Sequence, residues 1–139
     1  MLTRLESRPV KRILGCFSGQ KGSAQICPSL PLLKGKTALV TGPTSGIGRE
    51  TVAGLLARGS HVVLAGRSCK KLRALIDGLA EDGYDTGALT PVICDLADLD
   101  SVALAVQEIN KLLRMKPLDI LIENAAIMPA KYSETPQGH

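Results

Sequence analysis

The sequence is poor in aromatic residues, since its 139 residues include two tyrosines, one phenylalanine and no tryptophan. Hydrophobic residues make up 45% of the chain and charged residues 22%, which favours an aliphatic α/β core over a β-sandwich or a disordered chain. No apolar run approaches the roughly 20 residues that cross a bilayer, so no transmembrane span is predicted. The length suits one domain with a modest core.

Cysteines are few and far apart, and they form no C-x-x-C pair and have no histidine cluster nearby. They are Cys16, Cys27, Cys69 and Cys94. We therefore expect free thiols in a reducing compartment rather than a metal site or a disulfide framework.

Basic charge is concentrated at the start of the chain. Residues 1–36 hold seven basic residues and one acid, a net charge of +6, whereas the whole chain carries +4. A nucleic-acid-binding domain keeps its basic stripe within the folded part, so no nucleic-acid partner is expected. Residues 1–33 lack periodicity and are interpreted as a flexible extension, or as a targeting segment. The two alternatives predict a cytoplasmic protein or a mitochondrial or plastid one.

Residues 34–139 are predicted to form one folded unit in which short apolar runs alternate with helical periodicity. Such alternation favours right-handed crossovers and a parallel α/β sheet of about four strands. Pro91 cannot donate to a strand ladder and places its strand at an edge of the sheet. Strands are predicted at 37–41, 61–65, about 88–94 and 118–122. The first predicted helix ends at Arg58, the second begins after Ser68 and the third begins after Asp98. The third helix has an apolar face made of Val102, Val106, Ile109 and Leu113.

Three glycines, Gly42, Gly46 and Gly48, lie between the first predicted strand and the first predicted helix. A tight strand-to-helix turn without Cβ atoms lets a pyrophosphate approach, and the helix start supplies free N–H groups and a positive dipole. A glycine-rich turn without a ligand is the alternative. The motif predicts a dinucleotide site and a doubly wound sheet of the Rossmann type, here cut short after about four strands.

The run from Thr41 to Gly48, T-G-P-T-S-G-I-G, resembles the cofactor motif of the short-chain dehydrogenase/reductase family. Its surroundings are most similar to the retinol-dehydrogenase-like branch, and the resemblance covers about residues 33–139. It implies that the backbone of Thr44, Ser45, Gly46 and Ile47 holds the cofactor phosphates.

Cofactor choice depends on the end of the second strand, where NAD-selective sites carry an acid that accepts the ribose hydroxyls. Here the strand is followed by Arg67, and no acid occurs before Asp77. A guanidinium suits bidentate phosphate contact, so NADP is predicted and NAD is less favoured. A solvated arginine on an exposed helix is the alternative.

Two further stretches resemble the family. Asp95-Leu96 matches its Asp-hydrophobic pair, which implies that Asp95 accepts a hydrogen bond from the adenine amino group, although an aspartate can equally cap a helix. Residues 123–126 resemble the family's N-N-A-G motif and match it at Asn124 and Ala125, which implies that Asn124, Ala125 and Ala126 lie beside the nicotinamide ribose. Glu123 stands where the family has asparagine, and Ala126 where it has glycine.

The family's catalytic tyrosine precedes a lysine by four residues, and that lysine lowers the tyrosine pKa for acid–base work. Here Ala88 stands four residues after Tyr84, and Pro136 four residues after Tyr132, so no catalytic residue is predicted within the chain. The resemblance implies an NADP-dependent oxidoreductase acting on an alcohol or carbonyl, present as its cofactor-binding half. The alternative is a non-catalytic dinucleotide-binding or interaction module. An uncovered fourth strand would favour self-association.

Overall fold

The computed structural model describes residues 31–114, 116–127 and 134–138. The predicted basic extension of residues 1–33 therefore lies outside the described residues, except for its last three. Within the described part, strands and helices alternate along the chain. Their bounds are β1 Thr37–Thr41, α1 Gly46–Ala57, β2 His61–Gly66, α2 Cys69–Glu81, a 3₁₀ turn at Thr86–Ala88, β3 Leu89–Ile93, α3 Leu99–Leu113 and β4 Ile120–Ile122.

The four strands form one parallel sheet in the order β3-β2-β1-β4. Val40 at the centre of the sheet pairs with Leu64 on one side and Ile122 on the other. This order, with β1 inside the sheet, confirms the predicted α/β fold of the Rossmann type. Pro91 lies in β3, which pairs with β2 alone among the described strands, so the predicted edge position is also confirmed.

Both faces of the sheet are covered, because alternate residues of each strand point to opposite sides. Val40 and Leu64 lie on the face that packs against α1 and α2. Leu39 and Val63 lie on the opposite face, which packs against α3 through Ala105. Two apolar clusters therefore enclose the sheet, and the fully buried strand residues explain why β1 and β2 are apolar without alternation.

Helix boundaries follow the predicted signals. The Ser68 hydroxyl accepts a hydrogen bond from the Lys71 N–H at the start of α2, and the Asp98 carboxylate caps α3 in the same way. Gly59 and Gly83 follow α1 and α2 with φ of 82° and 87°, a conformation that glycine adopts without steric penalty. The predicted ends of both helices are confirmed.

The buried side of α3 differs from the prediction. Ala105 and Ile109 are buried, and Val102 and Leu113 are partly buried, but Val106 is 50% exposed. The buried and partly buried positions recur at three- and four-residue spacing and so share one face of the helix, which the helix turns toward the sheet in place of Val106; they are Val102, Ala105, Ile109 and Leu113. Within the described residues, no helix is long and apolar enough to cross a membrane.

Strand β4 is shorter than predicted because, at its start, the Asp119 side chain takes the place of a backbone acceptor in the hydrogen bonding to β1. The Thr37 N–H donates to Asp119 Oδ2 at 2.9 Å, while the Asp119 N–H donates to the Thr37 carbonyl at 3.0 Å. Lys36 also binds Asp119 Oδ1 at 2.7 Å. These hydrogen bonds lower the pKa of Asp119, with the Lys36 bond contributing most.

Cys69 and Cys94, the two cysteines in the described part, are free thiols as predicted. Cys94 is buried beside the β3 end, and that burial raises the pKa of its thiol. Cys16 and Cys27 lie outside the described residues.

Candidate functional site

The predicted site residues lie at one edge of the sheet. Gly42 follows β1, Arg67 follows β2, Asp95 lies just beyond β3 and Asn124 just beyond β4. Because all four strands are parallel, their carboxyl ends share this edge, which is where open α/β sheets bind ligands.

Backbone hydrogen bonds continue past the strands and keep these ends in register. The Gly42 N–H donates to the Ala65 carbonyl at 3.0 Å, and the Cys94 N–H donates to the Gly66 carbonyl at 3.1 Å. Arg67 therefore leaves the sheet between the glycine turn on one side and Asp95 on the other.

Two of the three motif glycines are required by packing within the protein. A Cβ at Gly42, whose φ is +60°, would lie 2.8 Å from the Ala125 Cα. A Cβ at Gly48 would lie 2.4 Å from the Gly42 carbonyl oxygen and 2.6 Å from the Asn124 side-chain nitrogen. These glycines let the start of α1 and the loop after β4 close on the end of β1.

Gly46 serves a different purpose. Its φ is +53°, and a Cβ built on it would meet no atom of the described part of the chain within 4 Å. The first residue of α1 thus needs glycine for its backbone conformation, while the space before it is open. A ligand can therefore approach the main chain closely at Gly46.

The start of α1 is left without a side-chain cap. Ser45, the N-cap residue, has extended backbone angles and makes no side-chain cap hydrogen bond, and the first turn contains no acid. The first N–H groups of a helix lack partners within the helix and carry partial positive charge. Ile47 in that turn is 79% exposed. An uncapped helix start behind a glycine turn has the chemistry to bind a diphosphate.

Thr41 and Asn124 join β1 to β4 directly behind this turn. The Thr41 hydroxyl accepts the N–H groups of Asn124 and Ala125 at 3.1 and 3.0 Å. The Asn124 amide donates to the carbonyl oxygens of Thr41 and Gly42 at 3.1 and 3.0 Å. Sequence reasoning did not assign a role to the Thr41 side chain, although its place directly before Gly42 was the available signal.

Arg67 is exposed and makes no ion pair within the described residues. Arg49 differs, because its guanidinium binds Glu50 at 3.0 Å and Asp82 at 2.5 Å. These bonds, above all the one to Asp82, raise the pKa of Arg49. Of these two arginines near the turn, Arg67 is the one whose guanidinium remains available for a ligand.

Asp95 and Leu96 begin a tight turn between β3 and α3. Asp95 Oδ1 accepts the Ala97 N–H at 3.0 Å, and the Asp95 N–H donates to the Ser101 hydroxyl at 3.0 Å. Oδ2 of Asp95 has no hydrogen bond in the part of the chain that the structure describes. Leu96 is 50% exposed beside it, so one free carboxylate oxygen and one apolar side chain lie together.

Ala125 and Ala126 are exposed after β4, next to the glycine turn. Glu123 is also exposed, and among the described residues its carboxylate forms no salt bridge. The carboxylate that replaces the family's asparagine therefore faces solvent, where it keeps its hydration.

The chain matches the family model described as short chain dehydrogenase over residues 36–137. It therefore belongs to the short-chain dehydrogenase/reductase family, as predicted from the run Thr41 to Gly48. It is 38% identical over 134 residues to retinol dehydrogenase 14 of Mus musculus, covering 88% of this chain and 39% of that protein.

Solved structures of related proteins share the fold. The N-domain of a bacterial malonyl-CoA reductase, solved with NADP, has a TM-score of 0.63 and 34% identity, with 70% of this chain and 18% of that one covered. Actinorhodin polyketide ketoreductase, solved with NADPH, has a TM-score of 0.56 and 32% identity, with 66% and 33% covered. The first curated relatives are longer, and the chain spans 31% to 39% of their length.

Proposed function

We propose that residues 34–139 bind NADP(H) across the carboxyl edge of the sheet. The observation that carries this proposal is the start of α1, where Ser45 provides no side-chain cap and the surface of Gly46 is open. A buried or acid-capped helix start would leave no place for a diphosphate, whereas this one leaves both the N–H groups and the room.

The glycine turn would hold the diphosphate through main-chain N–H groups of Thr44, Ser45, Gly46 and Ile47. Gly42 and Gly48 contribute indirectly, because their missing Cβ atoms let the turn pack on the loop after β4. The helix dipole adds attraction for negative charge at this point.

Arg67 would bind the 2′-phosphate that distinguishes NADP from NAD. Its exposed guanidinium lies at the end of β2, where no acid of the described residues pairs with it, and guanidinium groups suit bidentate contact with phosphate. The two related structures solved with NADP and NADPH support the same choice.

The two ends of the cofactor would lie on the flanking strands. On the β3 side, Asp95 Oδ2 would accept the adenine amino group, with Leu96 against the ring. On the β4 side, Asn124, Ala125 and Ala126 would border the nicotinamide ribose. When bound, the cofactor supplies the hydride that passes to or from an alcohol or carbonyl substrate. We place that reaction in a longer protein of this lineage, because the chain spans 31% to 39% of its first relatives.

Calorimetric titration of the 139-residue chain with NADPH and NADH tests the proposal. NADPH should bind at least about tenfold more tightly, a difference of about 1.4 kcal/mol. Arg67→Asp should remove or reverse that preference, whereas Lys111→Asp on α3, with the same change of charge, should keep it. Binding of neither nucleotide would refute the site, and equal binding that Arg67→Asp leaves unchanged would refute the role of Arg67.

A second candidate is dinucleotide binding without hydride transfer by this chain. Neither tyrosine has a lysine four residues later, and Tyr84 lies between α2 and β3, at the amino end of the strands and away from the site edge. A folded chain that binds NADPH but oxidises none of it with a panel of aldehydes and ketones would support this candidate. Turnover that is lost with the binding variant Arg67→Asp would overturn it.

We also propose that the 139-residue chain pairs with a second copy through β4. Among the described strands, β4 pairs only with β1, and Leu121 on it is 57% exposed. An apolar edge strand with free backbone groups is prone to such pairing. Light scattering after gel filtration should give a dimer mass that Leu121→Lys reduces, and a monomer at high micromolar concentration would contradict the proposal.

A further inference from the structure

Gln137 connects the segment after β4 to the start of α3. Its side-chain Nε2 donates to Asp98 Oδ1 at 2.8 Å, and its Oε1 accepts the Leu99 N–H at 3.3 Å. Gln137 thus binds both the N-cap residue of α3 and the first N–H group of that helix. The partners are 38 or 39 residues apart in sequence, so this contact arises from the tertiary fold.

Asp98, which Gln137 binds, also forms hydrogen bonds within the turn between β3 and α3. Asp98 Oδ1 also accepts the Asp100 N–H at 3.0 Å, and the Asp98 N–H donates to the Asp95 carbonyl at 3.1 Å. At the other end of the turn, the Asp95 N–H donates to the Ser101 hydroxyl. Asp95 is therefore fixed by α3 on its N–H side and by Asp98 on its carbonyl side.

The charge on Asp98 strengthens this connection. Its carboxylate accepts from Gln137 and from backbone N–H groups, and these bonds lower its pKa, with the Gln137 bond contributing most. A hydrogen bond to a charged group is stronger than one between neutral groups. Gln137 is partly buried, which limits competition from water for that bond.

We infer that Gln137 is a positioning residue for adenine recognition, acting through Asp98 on the carboxylate of Asp95. The inference rests on the proposed function, in which Asp95 Oδ2 accepts the adenine amino group. A hydrogen bond of this kind needs its acceptor held to within about half an ångström. Gln137 supplies that constraint from residues 134–138, through its two hydrogen bonds to the start of α3.

The test compares two ligands on the full 139-residue chain by calorimetry: NADPH, and its analogue in which hypoxanthine replaces adenine. The analogue lacks the amino group, so it reports binding without the Asp95 contact. Gln137→Leu should weaken NADPH binding about three- to tenfold, the range of one net hydrogen bond, and weaken analogue binding less than about twofold. Gln107→Leu, an exposed change on α3, should alter neither.

A second variant keeps the test decisive if Gln137→Leu does not fold. Gln137→Glu retains an acceptor for the Leu99 N–H but loses the donor to Asp98 and places two carboxylates together, so it should give the same selective loss. Circular dichroism of each variant verifies that the fold is intact.

The outcomes separate the inference from the proposed function. If Gln137→Leu and Gln137→Glu weaken both ligands equally, or weaken neither, while Asp95→Asn weakens NADPH alone, only the role of Gln137 is wrong. If the unaltered chain binds the two ligands equally, Asp95 does not recognise adenine and the inference fails with it. If the chain binds neither ligand, the proposed function itself is wrong.

Discussion

Asn124 donates its side-chain amide to two consecutive carbonyl oxygens, those of Thr41 and Gly42. The backbone N–H of Asn124 donates as well, to the Thr41 hydroxyl. These three hydrogen bonds, all donated by Asn124, join the ends of β1 and β4 at the point where the chain turns into α1. The position of the glycine turn is therefore set by a contact between residues 83 positions apart.

Asn124→Asp should destabilise the protein, because a carboxylate would face two carbonyl oxygens in place of an amide donor. We expect the free energy of unfolding to fall by about 1–2 kcal/mol, the lower part of the cost of leaving hydrogen-bonding groups unsatisfied, because these groups are only partly buried. Chemical denaturation followed by circular dichroism measures this. Asn110→Asp, which makes the same change at an exposed position of α3, should cost less than about 1 kcal/mol. Equal losses would show that the donor role of Asn124 is unimportant.

Gly48→Ala and Gly78→Ala should shift stability in opposite directions. At Gly48 the new Cβ would lie 2.4 Å from the Gly42 carbonyl oxygen, whereas at Gly78 it would meet nothing within 4 Å. Overpacking at the first position should cost about 1–3 kcal/mol, and better helix propensity at the second should add about 0.5–1 kcal/mol. Thermal melts of both variants provide the comparison. A Gly48→Ala protein as stable as the parent would mean that the turn relaxes freely.

Leu64→Ala should be strongly destabilising, because Leu64 on the central strand β2 is fully buried. Truncation of a buried leucine costs about 2–5 kcal/mol through lost transfer free energy and a residual cavity. Leu104→Ala removes the same atoms from a side chain that is 65% exposed, and it should change stability by less than about 0.5 kcal/mol. Urea unfolding curves decide this, and similar losses for both variants would contradict the assigned core.

Acid should weaken the protein partly through Asp119. The pKa of this carboxyl is lowered by the bonds from Lys36 and Thr37, so the folded state binds its proton less readily than the unfolded state. The contribution is fully present above the unfolded pKa of about 3.9 and is lost as pH falls through the lower folded value. The midpoint of thermal unfolding, measured between pH 6 and pH 2, should fall less steeply for Asp119→Asn. Asp77→Asn, at an exposed position of α2, should keep the parent slope, and identical slopes for all three proteins would exclude Asp119.

The order and type of the elements could be predicted because their signals are local. Uninterrupted apolar runs at β1 and β2 predicted buried parallel strands, and Gly59 and Gly83 ended the helices before them. The contact side of α3 could not be predicted in the same way. Val106 and Ala105 are both apolar, and each is spaced three or four residues from Val102 and Ile109. Only the rotation of the packed helix about its axis decides that the alanine faces the sheet.

For the candidate site too, the features with a local sequence signal could be predicted, and those that depend on distant partners could not. The glycine spacing and Arg67 identified the edge of the sheet, because each is a local chemical signal. The place of Thr41 directly before Gly42 was also a local signal, but its partner Asn124, 83 positions away, could not be predicted. The amide of Gln137 gave no local signal, since its partner Asp98 lies 39 positions away.

The amino-acid sequence by itself determined the alternation of strands and helices, the family and the edge at which a dinucleotide is expected. These follow from periodicity and from short motifs whose chemistry acts within a few residues. Tertiary structure alone decided that Gly42 and Gly48 make room for the loop after β4, that Gly46 faces open space, and that Gln137 reaches the turn of Asp95. The reason is physical: close packing and hydrogen bonds between distant segments depend on how the sheet brings those segments together.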